Sequence, residues 1–290
     1  MKNLVISVPR LEIHRPPIST AIVANVIKQA GYDVQALDLN INFLKHVGSH
    51  TAYYNFDQVW DGERTITEGE VIFIKKFLDN FTDKIEKYDR IWISVFGGSC
   101  HLFTELLCEH IRNKCSQKEI VLGGQGVLTY AIGLDKENFG DAMKNKGLCD
   151  IYIAGEGEHT IVDVCKNDLT IPGINNADFT QINELNNLPF PDYSFYSLDE
   201  YDYLNEVKEV FIVGSRGCVR RCTYCDVARY WPKFRYRSGK NISEEMINHY
   251  EKHGVTRYYF TDSLINGSIK AFHEMCYELA KYNDTHNAPF

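Results

Sequence analysis

The sequence predicts an α/β protein: a doubly wound (Rossmann-like) parallel sheet followed by the first part of a (β/α) partial barrel. Three observations predict it. Short β-branched apolar runs alternate with segments of helical spacing. Several runs end in glycines, as in ISVFGGS, IVLGGQG and DIYIAGEGE. The alternation breaks down over 168–206 and resumes after it, so two units are expected rather than one.

The elements follow in order. NLVISV (3–8) is a buried strand, and Pro9, Pro16 and Pro17 make the next stretch a loop. Ile18, Ala21, Ile22, Val26 and Ile27 place a helix over 18–30, closed by Gly31. Residues 32–38 give a second strand, and strand–helix–strand with short turns begins a parallel sheet. The stretch 40–62 reads as irregular and aromatic. Ile66, Val71, Ile74, Phe77, Leu78, Phe81 and Ile85 predict a helix over 66–87. RIWISVF (90–96) is a third strand, followed by a helix over 101–115. EIVLGG (119–124) and DIYIAGEGE (150–158) are the fourth and fifth, and a helix runs on to 167. Residues 1–167 therefore form the first domain.

In doubly wound sheets ligands bind beyond the carboxyl ends of the strands. Three of those ends carry Gly97–Gly98, Gly123–Gly124 and Gly155–Glu156–Gly157. Glycine lets a flat ligand approach the backbone, although it also simply makes tight turns. Neither a G-x-G-x-x-G fingerprint nor a P-loop lysine motif is present, so a dinucleotide or ATP site is not indicated.

Residues 168–206, with LPFPDYSFYSLDEYDYL, form a linker too aromatic to be free coil. The second unit, 207–290, opens with the strand VKEVFIV (207–213). A helix over 242–253 has Asn241 and Glu244 in a capping-box pattern and stops at Gly254. RYYFTD (257–262) is a strand and 267–282 a helix. Two β/α units cannot close a barrel, so the expectation is a fragment or a protein completed by another chain.

Composition is that of a globular protein, and no run of eighteen apolar residues occurs. A net charge of −8 argues against a general nucleic-acid binder. Nine cysteines without a signal peptide point to a reducing compartment, hence a cytoplasmic location. Cys100, Cys108, Cys115, Cys149, Cys165 and Cys276 are scattered and read as small buried residues.

The remaining three, Cys218, Cys222 and Cys225, stand in a C-x3-C-x2-C array directly after an apolar run. Three thiolates at that spacing suit a cubane iron–sulfur cluster with one iron left for an outside ligand, since clusters normally take four. Structural zinc is the competing reading, but it needs a fourth ligand. His249 and His253 lie on polar positions of a helix and read as solvated. The stretch Arg229, Lys233, Arg235, Arg237, interleaved with Tyr230, Trp231, Phe234 and Tyr236, reads as a packed loop rather than an RNA-stacking surface.

With Tyr224 before its last cysteine and a barrel strand before its first, this loop resembles the radical S-adenosylmethionine (SAM) superfamily. Together with GYDVQALDLN, ISVFGGS, IVLGGQG, DIYIAGEGE and LPFPDYS, nearly the whole chain is similar to the subgroup with a cobalamin (B12)-binding domain. The resemblance implies a [4Fe–4S] cluster on Cys218, Cys222 and Cys225, with SAM chelating the fourth iron and cleaved to a 5′-deoxyadenosyl radical. It implies Tyr224 near the adenine and Asp262 at the methionine amino group. The glycine edge of Gly97, Gly98, Gly123, Gly124, Gly155, Glu156 and Gly157 would face the corrin. Arg216, Arg220 and Arg221 would offset the charge of the cluster and the SAM carboxylate. Cobalamin-dependent methyl transfer is the subgroup's commonest chemistry, and an electron donor such as flavodoxin or ferredoxin is its expected partner. The substrate, small molecule or peptide, is left open, and neither membrane nor nucleic acid is expected. D-x-H-x-x-G, whose histidine ligates cobalt in many cobalamin domains, is absent, and His14 reads as a loop residue. The alternatives are radical methylthiolation of RNA, which needs a second cysteine set, and a non-catalytic corrinoid- or metal-binding chain.

Overall fold

A computed structural model describes residues 1–9, 11–115, 117–129, 137–201, 207–225 and 227–290. The chain divides into two compact units. The first comprises 1–13, 19–180 and 191–196; the second comprises 14–18, 181–190 and 197–290. The aromatic stretch expected as a linker is thus shared out between the units, and its residues 202–206 lie outside the described ones.

The first unit holds a five-stranded parallel sheet in the order β2-β1-β3-β4-β5. Its strands are β1 (Lys2–Ser7), β2 (Asp33–Asp38), β3 (Arg90–Ser94), β4 (Glu119–Gly123) and β5 (Ile151–Ile153). β1 pairs with both β2 and β3, placing Ser7 beside Asp38 and Ser94. The strand order reverses between β1 and β3, which sets a ligand crevice at their carboxyl ends. Val5, Trp92, Val121 and Ile151 pack one face of the sheet against helical residues such as Ala24, Ile27, Ile161 and Val164. Helix α1 (Ile18–Gln29) follows β1.

The stretch expected to be irregular is helical. α2 (Leu39–Val47), α3 (His50–Asn55) and α4 (Asp57–Trp60) run through it. Asp38, the last residue of β2, caps α2 by accepting from the Asn40 and Ile41 amides, while Ser7 donates to it at 2.9 Å. Gly48, in the left-handed region, ends that helix. The aromatic residues build a core around Phe43, which is fully buried. Rings of Phe56, Phe77 and Phe103 stand edge-on to it at 5.1, 5.2 and 5.8 Å.

The long helix expected over 66–87 is two pieces, α5 (Glu68–Asp79) and α6 (Thr82–Ile85). Thr67 and Glu70 form a capping box at the start of α5. α7 (His101–Lys114), α8 (Phe139–Asn145) and α9 (Glu158–Cys165) complete the unit. The fifth strand is shorter than expected because Gly155 turns the chain at a φ of 83°.

In the second unit β6 (Glu209–Ile212) pairs in parallel with β9 (Arg257–Phe260). Between them, β7 (Ser215–Arg216) pairs antiparallel with β8 (Arg235–Tyr236), with the short α10 (Val227–Tyr230) inside that arch. α11 (Gly239–His253) and α12 (Ile269–Asn283) pack Ile242, Met246, Met275 and Leu279 around Ile212. The N-cap of α11 is Ser238 rather than Asn241, so the helix starts a turn earlier than expected. Gly239 can sit there because a side chain would collide with the backbone of α12, at Ala271 and Met275. His249, expected in solvent, is buried beside Glu245, 3.6 Å away. That helix face turns inward because the buried Glu245 is the counter-charge of Arg237.

Replacing Phe43 with alanine should cost about 3–5 kcal/mol, the usual price of an emptied aromatic core site. Denaturant midpoints check this; a loss under about 1 kcal/mol would show that the aromatic layer is not a packed core.

Candidate functional site

The cysteine loop leaves β6 through Val213, Gly214 and Ser215, and two side chains hold that departure. Asp262, just past the end of β9, accepts from the Gly214 amide at 2.9 Å and from the Ser215 hydroxyl. Parallel pairing of Ile212 with Phe260 brings this carboxylate to the loop. From the other side the Arg237 guanidinium donates to the Val213 carbonyl at 3.0 Å. Its backbone amide donates to the Gly214 carbonyl at 2.8 Å. Asn241 and Glu245 in turn orient Arg237. Gly214, Ser215, Arg237, Asp262 and Phe272 line one small pocket.

Gly217 sets up the cysteines themselves. Its φ is 86°, and a Cβ there would stand 2.8 Å from the Lys233 carbonyl oxygen. Only glycine passes the 231–233 segment at that angle. Beyond it Cys218 is half-buried, Cys222 and Cys225 are exposed, and all three are free thiols. The Arg220 amide lies 3.4 Å from the Cys218 sulfur, and the Cys225 amide donates to the Cys222 carbonyl at 3.1 Å. Among the described residues no three metal-ligand side chains are gathered in a coordinating arrangement. The donor chemistry nevertheless fits an iron–sulfur cluster: three accessible thiols share one short loop. Four-ligand zinc fits worse, because His249 is buried in the helix layer. Tyr224 is 91% exposed on the same loop.

Arg235 and Arg237 are buried, and both spend their guanidinium groups on the protein. Arg235 bonds the Ile182 and Lys233 carbonyls. The packed-loop reading of 229–237 holds at these two positions; Lys233 is exposed, and the Arg229 side chain lies outside what is described. Arg220 and Arg221 are exposed beside the thiols.

The glycine edge of the first unit divides in two. At Gly97, Gly98 and Gly123 an added Cβ would meet no atom within 4 Å. At Gly124 a Cβ would stand 2.4 Å from the Val95 carbonyl oxygen, and at Gly155 2.5 Å from the Thr180 backbone. Those two glycines are required by the chain's own packing. A Cβ at Gly157 would make only ordinary contacts, and the Glu156 side chain is buried while its amide donates to the Thr180 carbonyl. The bare backbone free to receive a flat ligand is therefore at the ends of β3 and β4. That surface fits a corrin, with the fit resting on Gly97, Gly98 and Gly123.

Cys100, Cys108, Cys115, Cys149 and Cys165 are buried as expected, whereas Cys276, expected with them, is exposed on α12. Burial pushes the Cys108 thiol well up and the Cys149 thiol to about 12. Such thiols stay protonated and are poor cluster ligands. One group that holds the loop, Ser215, escaped the sequence reading. The signal was present in the run G-S-R-G between the strand and Cys218.

Burial raises the Asp262 carboxyl above its usual range, against the hydrogen bonds from Ser215 and Gly214 that pull it down. Its contribution to stability is fully present below the unfolded value of about 3.9 and is lost as pH rises through the folded one. Asp262→Asn removes that titration. The variant should therefore gain on the wild type in denaturant midpoints as pH rises above about 4, and a constant difference would contradict the burial.

No family model matches the chain. It is 20% identical to the cytidylyl-2-hydroxyethylphosphonate methyltransferase of Streptomyces wedmorensis, over 89% of this chain and 53% of that protein. It is 27% identical to an anaerobic magnesium-protoporphyrin IX monomethyl ester cyclase of Synechocystis sp., over 52% of this chain and 33% of that one. A solved structure of the radical S-adenosylmethionine methyltransferase TsrM from Kitasatospora setae, with cobalamin and a [4Fe–4S] cluster bound, matches with a TM-score of 0.60 at 14% identity. The match covers 100% of this chain and 53% of that one. The chain thus spans about half the length of these two methyltransferases. At such identity the structural match is one of fold, and the cysteine loop is the chain's own. The chain is thus similar in sequence to a methyltransferase and a cyclase, and in fold to a radical S-adenosylmethionine methyltransferase.

Proposed function

We propose that this chain is the cofactor-binding part of a cobalamin-dependent radical SAM methyltransferase. The observation that carries the reading is the carboxylate of Asp262 at the base of a loop bearing three free thiols. A [4Fe–4S] cluster and a corrinoid bound here would supply, respectively, the electron that cleaves SAM to a 5′-deoxyadenosyl radical and a carrier for the methyl group.

The chain's own residues have definite tasks in that reading. Cys218, Cys222 and Cys225 hold three irons and leave one open. Arg220 and Arg221, exposed beside them, offset the negative charge that three thiolates bring. Asp262 receives the ammonium group of SAM. A cation at that site favours the ionised carboxylate that burial disfavours, so ligand and carboxylate stabilise one another. Ser215 and the Gly214 amide keep the carboxylate aimed. Arg237, through Val213 and Gly214, fixes the strand end from which the cysteines depart. Tyr224, fully in solvent on this loop, is the side chain offered to the adenine. Gly97, Gly98 and Gly123 receive the corrin. An electron donor of the flavodoxin or ferredoxin type completes the scheme.

Anaerobic reconstitution of the chain with iron and sulfide should give about four irons per chain. Cys222→Ala should lose most of that iron and the accompanying visible absorption, with far-ultraviolet circular dichroism unchanged. A variant that keeps wild-type iron, or a wild type that takes up zinc and no iron, would overturn the assignment.

A further inference from the structure

The carboxyl edge of the first unit's sheet carries one feature that the glycines do not explain. Phe96 stands two residues beyond β3, at the middle of the sheet, and is 58% exposed. An aromatic ring in water is normally a small loss for a folded chain, and a Phe on a central strand would ordinarily turn inward. Its neighbours make the exposure specific. Val95 beneath it is fully buried, and its carbonyl accepts from the Gly126 amide at 2.9 Å. Gly124 packs on that same carbonyl, where an added Cβ would stand 2.4 Å from the oxygen. Gly97, Gly98 and Gly123 add no side chain around it. The result is one aromatic face beside bare backbone, next to the β1/β3 reversal where ligands of such sheets bind.

The other ring near this edge is committed elsewhere. His101, first residue of α7, is buried and stacks on Phe139 at 3.9 Å between centroids. Its Nε2 lies 2.8 Å from the Gly126 carbonyl and 3.0 Å from the Thr129 hydroxyl. Burial lowers its pKa. Through Nε2 it braces the turn that follows β4.

We infer that Phe96 is the side chain against which the corrin macrocycle packs, its ring meeting the flat ligand face over the bare backbone of Gly97, Gly98 and Gly123. This rests on the cobalamin reading above. A broad conjugated ring over an aromatic side chain gains dispersion and excludes water from both faces. Phe96 is therefore a cofactor-binding residue rather than a structural one, and its removal should leave the fold intact.

The test is titration of the chain with hydroxocobalamin, followed by isothermal calorimetry and by co-elution in gel filtration. Phe96→Ala should weaken binding by about tenfold or more, and Phe96→Tyr should keep it within about threefold. Ile72→Ala, another exposed apolar residue of the same unit, serves as the control and should bind like the wild type. Thermal midpoints without cobalamin should be alike for all four proteins. Tight binding by wild type and Phe96→Ala alike overturns the role of Phe96 and leaves the cobalamin reading standing. Failure of the wild type itself to bind overturns the cobalamin reading, and this inference with it.

Discussion

The second unit depends on one half-buried carboxylate. Asp262 joins the ends of β6 and β9 by taking the Gly214 amide and the Ser215 hydroxyl, so the start of the cysteine loop is fixed from a neighbouring strand. Drawing a carboxylate partly out of water is costly unless it is hydrogen-bonded, and here the bonds come from the loop that must be held. Arg237 repeats the device from the opposite side, with the buried Glu245 as its counter-charge. The cysteines themselves are not clamped: two are exposed, and their loop is shaped mainly by Gly217 and the short β7–β8 pairing. The departure point is rigid and the thiols are accessible, which suits a loop that closes on an inorganic cluster.

In the first unit the same economy of side chains appears at the sheet edge. Asp38 and Ser7 fix the β1–β2 side, and Ser19 and Ser94 share a hydrogen bond of 3.0 Å at the switch point. Beyond β3 and β4 side chains give way to glycine and one exposed phenylalanine. Polar residues thus hold the frame, and glycine leaves backbone bare beyond β3 and β4.

Much of this was legible in the sequence because it is local. β1 to β4 are marked by β-branched runs, and Gly31 and Gly254 mark helix ends by their left-handed turns. The cysteine array is a spacing, and spacing survives without coordinates. What escaped is non-local. Asp38 had to be seen both as the last residue of a strand and as a helix cap before 39–60 could be read as helices. His249 is buried beside Glu245, which pairs with Arg237 from outside the helix, and hydrophobic periodicity does not register a buried ion pair. Gly239 looks like a helix breaker in sequence, and only the proximity of α12 explains it. The glycines of the sheet edge look alike in the chain; the carbonyl of Val95 and the backbone of Thr180 separate those that serve packing from those left open.

The central claim is that three thiols of this loop hold a cluster with one iron open to SAM, beside Asp262. Electron paramagnetic resonance of the anaerobically reconstituted, reduced chain tests it directly, recorded before and after SAM is added. The account predicts a [4Fe–4S] signal whose g-values shift on adding SAM, and a smaller shift in Asp262→Asn at the same SAM concentration. A cluster signal that SAM leaves unchanged would contradict it.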